Sequence, residues 1–167
     1  GAFPASDPLF LGMPGMHGTY EANLAMHDCD VMLNVGARFD DRVTGKVAAF
    51  APHSRKVHID IDPSSINKNV QVDVPIIADA GEALAAILKA WKRKKKTVDA
   101  RALKAWWKQI EAWRSVDCLS YTQDDTTIKP QFALERLRHA LKGHDFYVTT
   151  DVGQHQMWAA QFLHFDE

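Results

Sequence analysis

Two groups of residues have the types and spacing that chemistry requires. The first is Val152-Gly153-Gln154-His155-Gln156-Met157-Trp158, which follows Asp145-Phe146-Tyr147-Val148-Thr149-Thr150 and precedes Ala159-Ala160-Gln161-Phe162. That order reads as strand, glycine turn and helix. A helix start leaves backbone N–H groups without acceptors, beside the positive end of the helix dipole. Such a junction is an anion site, and phosphate is its frequent occupant. Gln154 and His155 add side-chain donors. The plainer alternative is a strand–helix corner carrying a surface histidine.

The second group is spread over the first half of the chain. Gly12-Met13-Pro14-Gly15-Met16-His17-Gly18-Thr19 is a glycine-rich loop; Gly36-Ala37-Arg38-Phe39-Asp40-Asp41-Arg42, Asp60-Ile61-Asp62-Pro63 and Asp79 each follow an apolar run. Glycine turns admit a pyrophosphate, and an acid at a strand end accepts ribose hydroxyls. Nucleotide binding is the functional reading. The loop is not a G-x-G-x-x-G following a strand, so ordinary loop glycines are the alternative. His58, Asp60 and Asp62 alternate onto one strand face. They read either as a metal trio or as a half-buried strand histidine, His58, with Asp62 capping the Pro63-Ser64-Ser65 turn; no metal site is assigned.

These residues need elements to position them. Tyr20, Asn23, Leu24 and His27 recur at helical spacing, with Thr19 as N-cap. Apolar runs at 31–35, 56–62 and 72–78 read as strands, and Leu84, Ile87, Leu88 and Trp91 return to helical period. Strands separated by helix or long crossover predict an α/β fold with a parallel, Rossmann-like sheet, its carboxyl ends gathered on one ligand-binding edge. Lys92 to Lys96 is a short basic helix end. Leu103, Trp106, Trp107, Ile110 and Trp113 then form an apolar stripe on a long helix, predicted to dock on a neighbour rather than to hold a cofactor. Tyr121 to Lys129 reads as loop. Pro130 suits a first helical turn, followed by the stripe Phe132, Ala133, Leu134, Leu137 and Leu141, and Gly143 ends it.

Composition removes several function classes. With 20 basic and 21 acidic residues the chain has no charge excess to favour nucleic acid or an anionic membrane. No apolar run reaches membrane-spanning length. Cys29 and Cys118 lack a C-x-x-C arrangement and fit a reducing, intracellular setting. One helix, one strand and one further helix after Pro130 are too few for an independent core. A start at Gly1 without an initiator Met adds to the expectation that the chain is a fragment.

Gly15-Met16-His17-Gly18-Thr19, Gly36 to Arg42, His58-Ile59-Asp60-Ile61-Asp62-Pro63 and Val152 to Trp158 resemble, in order and spacing, the catalytic subunits of the acetohydroxyacid synthase (acetolactate synthase) family. The first three motifs are shared loosely with other thiamine-diphosphate enzymes; the set with Gln-His-Gln-Met-Trp is specific. The resemblance covers essentially the whole chain. It implies residues 1–95 as part of the central FAD-binding domain, 96–129 as a helical linker, and 130–167 as the opening of the thiamine-diphosphate domain. It further implies His17, Gly18, Thr19, Gly36, Arg38, Asp60, Asp62 and Asp79 as FAD contacts. Gly153, Gln154 and His155 would contact the thiamine diphosphate, and Arg42 the carboxylate of the acceptor substrate. A guanidinium fork suits that last task; an ion pair with Asp40 or Asp41 is the alternative for Arg42.

The implied reaction condenses pyruvate with a second pyruvate or 2-ketobutyrate, losing carbon dioxide, in branched-chain amino-acid biosynthesis. The family works as homodimers or tetramers with a regulatory small subunit. A cytoplasmic address is expected for a bacterial protein and an organellar one for a eukaryotic protein. The family's activating Glu and its magnesium ligands fall outside these residues, so the isolated polypeptide is expected to be inactive. Rival readings are a stand-alone flavin or nucleotide-binding module and a sister thiamine-diphosphate carboligase or decarboxylase.

Overall fold

The structure, a computed structural model, describes residues 3–94 and 97–166. Its centre is a three-stranded parallel sheet in the order β1 (Val31–Val35), β2 (Arg55–Asp60), β3 (Val74–Ile77). Val31 pairs with Arg55, and Val57 with Val74. Parallel pairing puts Val35, Asp60 and Ile77 at one edge. β3 is an edge strand, where Pro75, which lacks a ladder donor, is tolerated.

Helix α1 (Tyr20–Asp28) begins at Thr19, whose hydroxyl accepts from Ala22 N. Its buried residues are Ala22 and Ala25, not the stripe from Tyr20 to His27, of which Tyr20 and His27 are exposed. Small side chains let a neighbouring helix approach closely. That neighbour is α4 (Ala100–Arg114), capped by Asp99 and buried through Ile110. The predicted docking of this aromatic helix is therefore present, although Trp106, Trp107 and Trp113 are only half-buried. Trp106 and Trp113 meet edge to face at 5.6 Å. Arg114 fastens the opening segment by donating from Nη2 to the carbonyls of Pro8 and Phe10.

One face of the sheet carries the core: Phe39, Phe50, Ala51 and Val70, flanked by Met26, Met32, Val43 and Val72. Phe39 and Phe50 pack edge to face at 5.8 Å. Phe39 holds a left-handed φ of 54°. That backbone costs about 1–2 kcal/mol, offset by burying the ring. Helix α2 (Asp41–Thr44) and a 3-10 turn join β1 to β2. Helix α3 (Ala80–Arg93) starts at Asp79, which accepts from Glu82 N. Its buried residue is Ala83, whereas the expected apolar stripe of Leu84, Ile87, Leu88 and Trp91 stays exposed over the narrow sheet. The basic run reaches Lys94; Lys95 and Lys96, with the expected 95/96 domain boundary, lie outside the described residues.

Helix α5 (Pro130–Leu141) opens with its proline and is followed by Gly143 at φ 83°. Helix α6 (Gln154–Phe162) packs against it. The strand expected at 145–150 is not formed. A strand requires a ladder partner, and among the described residues no segment pairs with this one. Tyr147 is 94% exposed.

Candidate functional site

The glycine loop is fixed from within. Thr19 is buried, and its Oγ1 donates to Leu11 O at 2.5 Å while accepting from Ala22 N at 3.2 Å. The Asn23 amide clasps Gly15 through both of that residue's backbone polar groups, at 2.7 and 2.9 Å. A Cβ at Gly18 would fall inside contact with the Met13 carbonyl oxygen and the Pro14 backbone. Here glycine is required by close approach, not by ligand access alone. Met16 N donates to Arg42 O at 2.7 Å, so the loop sits on α2 beside the carboxyl edge of the sheet.

At that edge, Gly36 N donates to Ile59 O, and a side chain there would meet nothing within 4 Å. Arg38 and Arg42 are each about 70% exposed, and their partners are local: Asp40 at 2.9 Å for Arg38 and Asp41 at 3.2 Å for Arg42. The expected alternative for Arg42 is thus the contact present. Ion pairs this exposed contribute about 0–1 kcal/mol, and leave both guanidinium groups available. Asn69 Nδ2 donates to Arg38 O and ties the loop after β2 to the Gly36–Arg42 turn.

The acids at the strand ends differ. Asp62 is exposed, and its carboxylate accepts from Ser64 N and Ser64 Oγ. Those two bonds hold its carboxyl below the usual carboxylate range. Asp62 caps the Pro63–Ser65 turn, the alternative read for it in the sequence. Asp79 caps α3. Asp60 is buried; its Oδ1 accepts from Asp62 N at 2.9 Å, and its Oδ2 lies 3.7 Å from His58 Nε2. His58, expected half-buried, is fully buried, and neither ring nitrogen has a hydrogen-bond partner. A buried orphan of this kind costs about 1–3 kcal/mol. Among the described residues no three His, Cys, Asp or Glu side chains cluster as a metal site.

Helix α6 lies across from the glycine loop. Gln161 Nε2 donates to His17 O at 2.8 Å. His17 and Thr19, with Leu163 and His164, line a cavity of about 720 Å³ under the opening segment. Arg138 Nη1 approaches His164 Nδ1 at 2.9 Å. Since Arg only donates, Nδ1 must be the acceptor and the ring neutral. Burial and the Arg138 charge push the His164 pKa below the usual imidazole range. The helix start, Gly153 to His155, lies six to eight residues before Gln161, roughly 9–12 Å along the helix. Gly153 has φ 155° and ψ −171°, a backbone reserved for glycine, and it supplies no side-chain cap. Gln154 and His155 are exposed at this helix start.

The structure gathers His17, Gly18, Thr19 and Arg42 into one neighbourhood through the loop's contacts with α2, and Gly36, Arg38, Asp60 and Asp62 around the sheet edge. It does not bring Asp60 or Gln154 into the cavity that His17 lines. The sequence gives no fastening role to Asn23, placed only on a helical stripe, or to Asn69 and Gln161, yet their amides hold these parts together. Each is a single polar residue in a loop or helix, and periodicity carries no signal for such a contact.

The sequence pattern described as "Thiamine pyrophosphate enzyme, central domain" matches residues 1–87. The acetolactate synthase isozyme 3 large subunit of Escherichia coli K12 is 48% identical over 167 residues, all of this chain and 29% of that protein. The acetolactate synthase large subunit of Haemophilus influenzae is 45% identical over 169 residues, again with 29% of its length covered. The acetolactate synthase of Mycobacterium leprae is 43% identical over 168 residues, 27% of its length. The chain therefore spans less than a third of the relatives it matches.

Proposed function

The chain belongs to the thiamine pyrophosphate enzymes, through their central domain, and from that premise we propose that the protein carrying it is an acetolactate synthase large subunit. The observation that bears most weight is similarity along the entire chain, 48% to the Escherichia coli relative, rather than over the central domain alone. A stand-alone nucleotide-binding module would leave residues 130–166 without a counterpart. In this reading residues 1–95 are part of the central domain, 96–129 link, and 130–167 open the diphosphate-binding domain.

The substrates are pyruvate and a second 2-ketoacid, pyruvate or 2-ketobutyrate. Thiamine diphosphate, when bound, supplies the electron sink for decarboxylation and carbon–carbon bond formation. What this chain contributes is positioning. Uncapped N–H groups at the α6 start, with Gln154 and His155, fit a diphosphate. Arg42, held by nothing stronger than an exposed ion pair, can present its fork to the acceptor carboxylate.

FAD fits the sheet edge, where Gly36 leaves open space over the backbone, Arg38 is exposed, and Asp60 and Asp62 offer carboxylates. His17, Gly18, Thr19 and Asp79 complete that set of contacts. Thr19 and Asp79 commit side chains to capping, so their contribution to a flavin is through backbone and shape. Magnesium belongs to residues outside this chain. The assembly is a homodimer or tetramer with a regulatory small subunit, in the cytoplasm; no described helix is long and apolar enough to cross a membrane. The test is acetolactate formation from pyruvate by the full-length protein supplied with all three cofactors. Absence of product, in protein shown to be folded, rejects the proposal.

A further inference from the structure

The buried histidine of β2 has no role in anything above, and its environment is unusual. His58 is 0% exposed, with Nδ1 and Nε2 both unpartnered, and Phe39 set edge-on against its ring at 5.1 Å. Two positions along the same face, Asp60 Oδ2 stands 3.7 Å from Nε2. That is too long for a hydrogen bond, and a shift of less than 1 Å would make one. Lys56, the preceding residue on that face, can only donate, and its Nζ serves the carbonyls of Ala51 and Ser54. Asn34, paired across the ladder, donates its amide to Ala37 O. Asp60 is the charged acceptor among these neighbours on the face.

The geometry points to His58 as a positioning residue for the Asp60 carboxylate. Asp62 N holds Oδ1 at 2.9 Å, and His58 Nε2, 3.7 Å from Oδ2, is placed to donate to it once the two close by less than 1 Å. Together they set the plane in which the carboxylate is offered to a hydroxyl-bearing cofactor at the strand's end. Phe39 keeps the ring from turning away; its own left-handed backbone belongs to the Gly36–Arg42 turn, which lies at the same edge. The inference rests on the FAD reading of that edge and adds a residue to it that touches no cofactor itself.

The experiment uses the full-length protein with His58→Gln, His58→Met and His58→Phe, and reads the FAD dissociation constant by fluorescence quenching together with the melting temperature of the flavin-free protein. Gln keeps a donor near the Nε2 position; Met has the same reach without one. His58→Met and His58→Phe are expected to weaken FAD binding by about tenfold, the scale of one hydrogen bond to a charged acceptor, with His58→Gln close to wild type. The flavin-free melting temperature should hold or rise in the Met and Phe variants, because their cores carry no orphan nitrogen. If Gln and Met variants bind FAD equally well, His58 does not position Asp60. Should the wild-type protein bind no FAD, the cofactor reading fails and the inference with it. If one apolar variant does not fold, the other still gives the comparison with Gln.

Discussion

Replacing Thr19 with Val tests whether the glycine loop and α1 are held as one unit. The side chains are nearly isosteric, so the change removes a hydroxyl and opens no cavity. Two interactions disappear. The N-cap bond to Ala22 N, 3.2 Å long, is worth about 1 kcal/mol. The bond to Leu11 O, 2.5 Å long and part-buried, leaves a carbonyl without its partner at a cost of about 1–3 kcal/mol. The sum is about 2–4 kcal/mol. Thr19→Ser keeps both bonds and loses one methyl, near 0.8 kcal/mol. Urea denaturation followed by circular dichroism gives the difference, with an unchanged slope showing that only the midpoint moved. Amide exchange across 12–22 should accelerate in the Val variant alone. A Thr19→Val protein within about 0.5 kcal/mol of wild type, the range of an inert surface change, would refute the reasoning.

Three further outcomes are expected. Gly153→Ala asks an L-residue to adopt φ 155° and ψ −171° with its Cβ 3.0 Å from the His155 ring; calorimetric titration of the full-length protein should show thiamine diphosphate binding weakened at least tenfold, and unchanged affinity would dismiss the helix start as the diphosphate site. Arg42→Ala should cost about 2–3 kcal/mol in acceptor use, the scale of a lost charged hydrogen bond. Asp41→Asn, which removes only the exposed pair, should leave acceptor kinetics alone, and equal effects of the two would return Arg42 to a local role. For His164 the folded-state pKa is lowered, so the unfolded chain binds more protons as pH drops. Its contribution is present above the usual imidazole range and lost as pH falls from there through the lowered folded-state pKa; amide exchange should show α5–α6 docking loosening on acidification, and His164→Gln should flatten that dependence.

The parallel sheet, α1 with its Thr19 cap, the proline start of α5 and the glycine start of α6 were all legible, because alternation, helical period and cap chemistry are local signals. Asp62 as a turn cap was legible for the same reason. The strand read at 145–150 was not obtained: apolar β-branched residues make a strand possible, and only a neighbouring strand makes it real. Burial also escaped prediction. The period of α1 suggested a face through Tyr20 and His27, whereas the contact with α4 selects the alanines. His58 could be placed on a face from sequence but not weighed as an orphan, since that depends on what Lys56, Asn34 and Asp60 each find elsewhere. The anion-site reading of Gly153 to His155 came from the residues themselves, whereas the individual FAD contacts proposed here come from the family resemblance.

A crystal structure of the full-length protein grown with FAD and thiamine diphosphate tests the account most directly. It should show the flavin nucleotide running along residues 17–38 and 60–79, and the thiamine diphosphate group seated on the N–H groups of 153–155. Density for either cofactor away from the residues named for it would contradict it.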